Sequence, residues 1–109
     1  MPSTKGYLEY VLEQLSGVEG ITHRAMMGEY ILYCRGRVLG GIYDDRMLVK
    51  PVKAAEALMP EARREAPYPG AKELLLVERV DDRAFLERLM AAMDPELPEP
   101  EARKGRGTP

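Results

Sequence analysis

The stretch ITHRAMMGEYILYCRGRVLGGIYDDRMLVK, Ile21 to Lys50, decides the fold. Turn formers cut it into four short runs. Residues 21–27 are the first, interrupted by Gly28-Glu29, and 30–34 are the second, closed by Arg35-Gly36-Arg37. Residues 38–43 are the third, closed by Asp44-Asp45, and 46–50 the fourth, ended at Pro51. Short β-rich runs joined by two or three turn residues predict antiparallel hairpins. Parallel neighbours need crossovers of about a dozen residues or more, and the spacing leaves no room for them. The centre of the chain reads as a meander.

Alternation along the second run puts Tyr30, Leu32 and Cys34 on one face and Ile31 and Tyr33 on the other. Both faces are therefore apolar or aromatic. Helices account for one of them. The other has to meet a second helix, a partner chain, or water at some cost. Gly40-Gly41 inside the third run predicts a bulge or a close backbone approach.

Upstream, Tyr7, Leu8, Val11, Leu12 and Leu15 recur at helical spacing, with Ser3 or Thr4 as the cap and Ser16-Gly17 as the stop. Downstream, 52–59 reads as a short helix stopped by Pro60, and 61–66 can add a helical turn. Pro67-Tyr68-Pro69-Gly70 is a loop, and 73–77 a fifth, buried strand. In the last helix Asp81 is the expected N-cap and Val80 staples onto Phe85, with Phe85, Leu86, Leu89, Met90 and Met93 as the buried stripe. The order α-β-β-β-β-α-β-α predicts an α+β two-layer sandwich, helices packed on an antiparallel sheet. Residues 1–93 form the domain. Residues 94–109 are rich in proline and charge and have one large apolar side chain, Leu97, which predicts a disordered tail.

With 109 residues the chain has room for one core, and a hydrophobic content of 45% excludes disorder for most of it. No apolar run approaches the ~20 residues that cross a bilayer, and the first residues lack a signal-peptide core, so the expected location is the cytoplasm. Sixteen basic residues against 18 acidic ones argue against nucleic-acid binding through bulk charge. One cysteine and one histidine form neither a disulfide nor a zinc site.

No residue set announces catalysis. His23 has no nucleophile close in sequence and reads as a structural or surface histidine. Cys34, beside Arg35, reads as a small buried hydrophobe rather than a reactive thiol. Asp44-Asp45 read as turn residues rather than metal ligands, and Asp81-Asp82 as first-turn helix chemistry. The glycines form no phosphate-cradling loop. Arg103, Lys104 and Arg106 follow Glu96, Glu99 and Glu101, which describes a solvated tail; a route to nucleic acid through it is the third reading.

Methionine and tyrosine carry more information. Met26, Met27, Glu29, Tyr30, Tyr33, Tyr43 and Tyr68 form the candidate interaction surface, since exposed Met and Tyr mark adaptable contacts. Core packing is the competing reading for them. A small-molecule pocket or a minor enzyme site among Tyr30, Tyr43, Tyr68 and the Met26-Met27 bend is the alternative. It requires Glu29, Asp45 and Lys50 to converge.

The run Arg24-Ala25-Met26-Met27-Gly28-Glu29-Tyr30, with Leu32-Tyr33, Gly36, Gly40, Asp44-Asp45 and Leu48-Val49-Lys50-Pro51, resembles the N-terminal domain of TfoX/Sxy proteins. The opening helix and Pro67-Tyr68-Pro69-Gly70-Ala71 fit the same resemblance, which spans residues 5–93. It implies a secretion-chaperone-like two-layer domain and a stand-alone member without the C-terminal domain of the long competence regulators. Those regulators act with a transcription activator. The resemblance supplies no catalytic residue, cofactor or metal. The expectation is thus a non-enzymatic interaction module, a homodimer, with a transcription regulator as partner by resemblance.

Overall fold

A computed structural model of the chain describes residues 3–98. The helices are α1 (Lys5–Gln14), α2 (Lys53–Leu58) and α3 (Arg83–Met93), and the strands are β1 (Ile21–Met26), β2 (Glu29–Cys34), β3 (Arg37–Ile42), β4 (Met47–Val49), β5 (Arg64–Glu65) and β6 (Leu74–Leu76). A 3-10 turn, Asp94–Glu96, follows α3. The strands form one six-stranded antiparallel sheet in the order β1-β2-β3-β4-β6-β5. The expected element order holds, with the short β5 added at an edge where the sequence suggested a helical turn.

The meander is built by three successive two-residue turns. Met27-Gly28, Arg35-Gly36 and Asp44-Asp45 all have positive φ at both positions, which defines the type I′ turn whose twist matches that of the strands. The first turn is Met27-Gly28 rather than Gly28-Glu29, because glycine serves best as the second residue of the pair. Glu29 consequently opens β2, and Met27 stands at the turn tip, 95% exposed.

Gly40-Gly41 does what its position predicted. Leu32 pairs with Gly40 and Tyr33 with Val38, so Leu39 is the extra residue of a bulge. A Cβ at Gly40 would stand 2.0 Å from the Leu48 carbonyl oxygen and 2.7 Å from Val49 Cα. At Gly41 it would meet the Tyr30 carbonyl oxygen at 2.5 Å and the Tyr43 ring at 2.7 Å. Glycine here is a packing requirement of the sheet.

One face of the sheet joins the helices in a single core. Leu32, Cys34, Ile42, Met47, Val49 and Leu75 pack with Leu8, Val11 and Leu15 of the first helical segment and with Phe85, Leu86, Leu89, Met90 and Met93 of α3. Thr4 Oγ1 accepts from the Tyr7 N–H at 3.2 Å and caps α1. The cap of α3 is Asp82, whose carboxylate accepts from the Phe85 N–H at 3.0 Å. This corrects the assignment to Asp81 by one residue; Val80 still packs against the core.

Residues 94–97, expected to open the disordered tail, are part of the fold: they form a 3-10 turn and a core contact. Leu97 is 7% exposed and belongs to the core, and Glu96 accepts from the Ala54 N–H at 2.8 Å. That bond satisfies a free donor at the start of α2, whose own cap residue, Val52, has no side chain to do so. The rest of the expected tail, 99–109, with Arg103, Lys104 and Arg106, lies outside the described residues.

Candidate interaction surface

Cross-strand pairing fixes which side chains share the other face. Thr22, Arg24 and Met26 of β1 pair with Tyr33, Ile31 and Glu29 of β2. Ile31 then pairs with Gly41, Gly41 with Leu48, and Leu48 with Leu76. None of Ile31, Tyr33, Leu48 or Leu76 belongs to the helix-side core. Ile31, Tyr33, Val38, Leu74 and Leu76 are half-buried, and Met26 is exposed. A broad concavity of about 610 Å³ runs over this face, lined by Thr22, Arg24, Met26, Ile31, Tyr33 and Val38 among others.

Tyr43 closes one end of the face. Its ring lies against Gly41 and is only 9% exposed. Burial, then the neighbouring Tyr68, Glu29 and Tyr33, push its phenol above the usual value. Tyr68 sits on the loop before β6 and is 59% exposed.

The seven candidate residues are thus only partly brought together. Met26, Tyr33 and Tyr43 belong to the outer side, and Tyr68 stands exposed on its loop. Tyr30 does not: it packs against the helix-side core, and its ring meets that of His23 edge-on at 6.2 Å between centroids. Met27 occupies the turn tip.

Glu29 is engaged in a polar clasp. Ser3 Oγ donates to Glu29 Oε1 at 2.6 Å and lies 3.3 Å from the Ile42 carbonyl oxygen. The Asp44 N–H donates to Glu29 Oε1 at 3.1 Å and the Asp45 N–H to Ser3 Oγ at 3.1 Å. Asp45 Oδ1 in turn accepts from the Thr4 N–H at 2.8 Å. Asp45 precedes β4 and Lys50 follows it, so the two stand at opposite ends of that strand. Glu29, Asp45 and Lys50 do not converge on a pocket. The sequence offers Ser3 or Thr4 as the cap of α1, and Thr4 takes that role; nothing in the sequence marks Ser3 as the centre of this clasp.

Cys34 is buried, 3% exposed, and its thiol lies 3.6 Å from Asp94 Oδ1, a carboxylate also paired with Arg37. Burial first, then the charge and hydrogen bond of Asp94, raise the thiol pKa against the opposing pull of Arg35 and Arg37. This is the environment of an inert thiol. Among the described residues, no group of three or more His, Cys, Asp or Glu side chains is placed to hold a metal ion. No helix among them is long and apolar enough to cross a membrane.

Comparison with known proteins gives one informative similarity. The chain is 30% identical over 107 residues to the uncharacterized 12.7 kDa protein in the trpE 5′ region of Spirochaeta aurantia, covering 97% of this chain and 93% of that protein. At that identity and coverage the chain belongs to the same family. No family model matches the chain, and no solved structure matches it.

Proposed function

We propose that the chain is a non-catalytic interaction module of the cytoplasm, one that self-associates and offers the outer face of its sheet to a protein partner. By its resemblance to the N-terminal domain of TfoX/Sxy competence regulators, that partner is a transcription regulator. The observation that carries the reading is the outer face itself: Met26, Ile31, Tyr33 and Val38 form a half-exposed apolar surface opposite the helix layer. Side chains of this kind gain from burial against a partner, and aromatic and methionine residues are enriched where such contacts form. The resemblance to TfoX/Sxy rests on the meander residues and adds the kind of partner.

Sedimentation velocity over the micromolar range tests the reading, with and without the purified transcription activators and RNA polymerase of the source cell. The expected result is a self-associated species and a complex that Ile31→Asp abolishes while the thermal melt is retained. A chain that stays monomeric and binds none of these proteins overturns it.

A further inference from the structure

The two edges of the sheet are finished differently. β5 is two residues long, and ion pairs link its Glu65 to Arg46 and its Arg64 to Glu56. Short, charged edges discourage pairing with another chain. β1 is six residues long, with all but Ile21 exposed, and contains neither proline nor lysine. It pairs with β2 at six consecutive positions without a bulge. Among the described residues of β1, Arg24 alone carries a fixed charge on this edge.

The register also tells which main-chain groups point outward. Met26 and Glu29 flank a two-residue turn, the position of a pair that exchanges hydrogen bonds. Further along, the Arg35 N–H donates to the Gly20 carbonyl at 2.8 Å. Because the bonded and non-bonded positions alternate, Thr22, Arg24 and Met26 turn their main-chain groups toward β2. Ile21, His23 and Ala25 turn theirs away from the sheet.

We propose that β1 pairs antiparallel with β1 of a second copy, about a two-fold axis passing through the His23 position. The proposal rests on the self-association reading above and gives it a geometry. In this register Ile21 stands opposite Ala25 of the second copy and His23 opposite His23. Every outward residue is used, giving about six main-chain hydrogen bonds. A register centred on Arg24 sets two guanidiniums directly across from one another, and like charges so placed are destabilising. One centred on Thr22 leaves Ala25 unpaired. Charge and hydrogen bonding therefore select the same alignment. Met26, 44% exposed, then falls opposite Gly20 of the second copy, which has no side chain to clash with it. Two six-stranded sheets become one, and the outer concavities, each lined in part by Thr22, Arg24 and Met26, meet at the axis.

The test is Ala25→Pro, which deletes an outward N–H and places a ring at the edge without removing a bond to β2. Sedimentation equilibrium should register at least about a hundredfold rise in the dimer dissociation constant, since each dimer loses two ladder bonds and gains two obstructing rings. The circular-dichroism spectrum should be unchanged. Independently, His23→Cys should form an intermolecular disulfide under mild oxidation, because a directly opposed bonded pair has Cα atoms about 5.5 Å apart; Tyr33→Cys should not. If Ala25→Pro unfolds the chain, this cross-linking pair decides. A dimer that survives Ala25→Pro, or that cross-links through Tyr33→Cys instead, leaves self-association standing and overturns edge pairing. A wild-type chain monomeric throughout overturns both. Protection of β1 amides only on addition of a different protein assigns the edge to a foreign strand and likewise overturns the proposal.

Discussion

Ser3 and Glu29 are joined by a 2.6 Å hydrogen bond, the serine hydroxyl donating to the carboxylate across 26 residues of sequence. Through it the start of α1 is fastened to the first hairpin. Through the Asp45 N–H, which donates to the same serine oxygen, it is fastened to the third. Ser3→Ala leaves that half-buried N–H without its acceptor and should cost about 1 kcal/mol. Urea titration would measure the loss, and an unchanged midpoint would refute it.

The glycines make opposite predictions. Gly40→Ala drives a methyl group into backbone atoms of β4 that cannot swing aside, at 2.0 and 2.7 Å, and should destabilise by more than about 3 kcal/mol or prevent folding. Gly6 lies within α1 with nothing within 4 Å of a Cβ, so Gly6→Ala should stabilise by about 0.5–1 kcal/mol through helix propensity. Chemical denaturation of the two variants would check both signs.

Met27 holds a φ of 51° at the first position of its turn, a conformation that asparagine adopts more readily. Met27→Asn should raise stability by a few tenths to about 1 kcal/mol. If Met27 also contacts a partner, the same substitution weakens that complex while the thermal melt improves. The two effects are separable by melting and binding measurements on one variant.

Three groups titrate late. Burial raises the Tyr7 and Tyr43 phenols, aided by Tyr10 and Asp45 for the first and by Tyr68, Glu29 and Tyr33 for the second; burial and Asp94 raise the Cys34 thiol. Each holds its proton in the folded state beyond the pH at which the unfolded chain releases it. Their stabilising effect is therefore complete below the unfolded pKa values and is lost as pH rises through the folded ones. Stability should decline from about pH 9 upward, and Tyr43→Phe should flatten that decline. For the same reason Cys34 should resist alkylation at pH 8 until the chain is unfolded, and Asp94→Asn should speed the reaction.

Much of the layer architecture was legible because it rests on local chemistry. The period-two alternation from Tyr30 to Cys34 identified the two faces correctly, and the paired glycines announced the bulge. The first turn lies one residue before the Gly28-Glu29 signal, because glycine is the visible signal while its predecessor, Met27, is not a turn former. Asp81 and Asp82 are equivalent as text, and only the placement of Phe85 distinguishes them. β5 was hidden because Arg64-Glu65 has no strand propensity; its pairing with β6 makes it a strand. Leu97 was hidden by its proline- and glutamate-rich neighbours. The candidate surface was half legible: alternation separates Tyr33 from Tyr30, but no local pattern reveals that Glu29 is committed to Ser3.

The three tight turns also bear on the order in which the molecule assembles. Neighbouring strands from Ile21 to Val49 are linked by two-residue turns, so this half of the sheet closes over short loops. The start of α1 and the segment after α3 are secured by contacts of far greater reach, 41 residues from Thr4 to Asp45, 42 from Ala54 to Glu96 and 57 from Arg37 to Asp94. Short-loop closure is fast and long-loop closure slow, which predicts that the hairpins form in the rate-limiting nucleus and the α1 and post-α3 contacts after it. Substitutions in the turns should slow refolding, whereas Ser3→Ala and Leu97→Ala should chiefly accelerate unfolding, a division that stopped-flow chevron analysis would resolve.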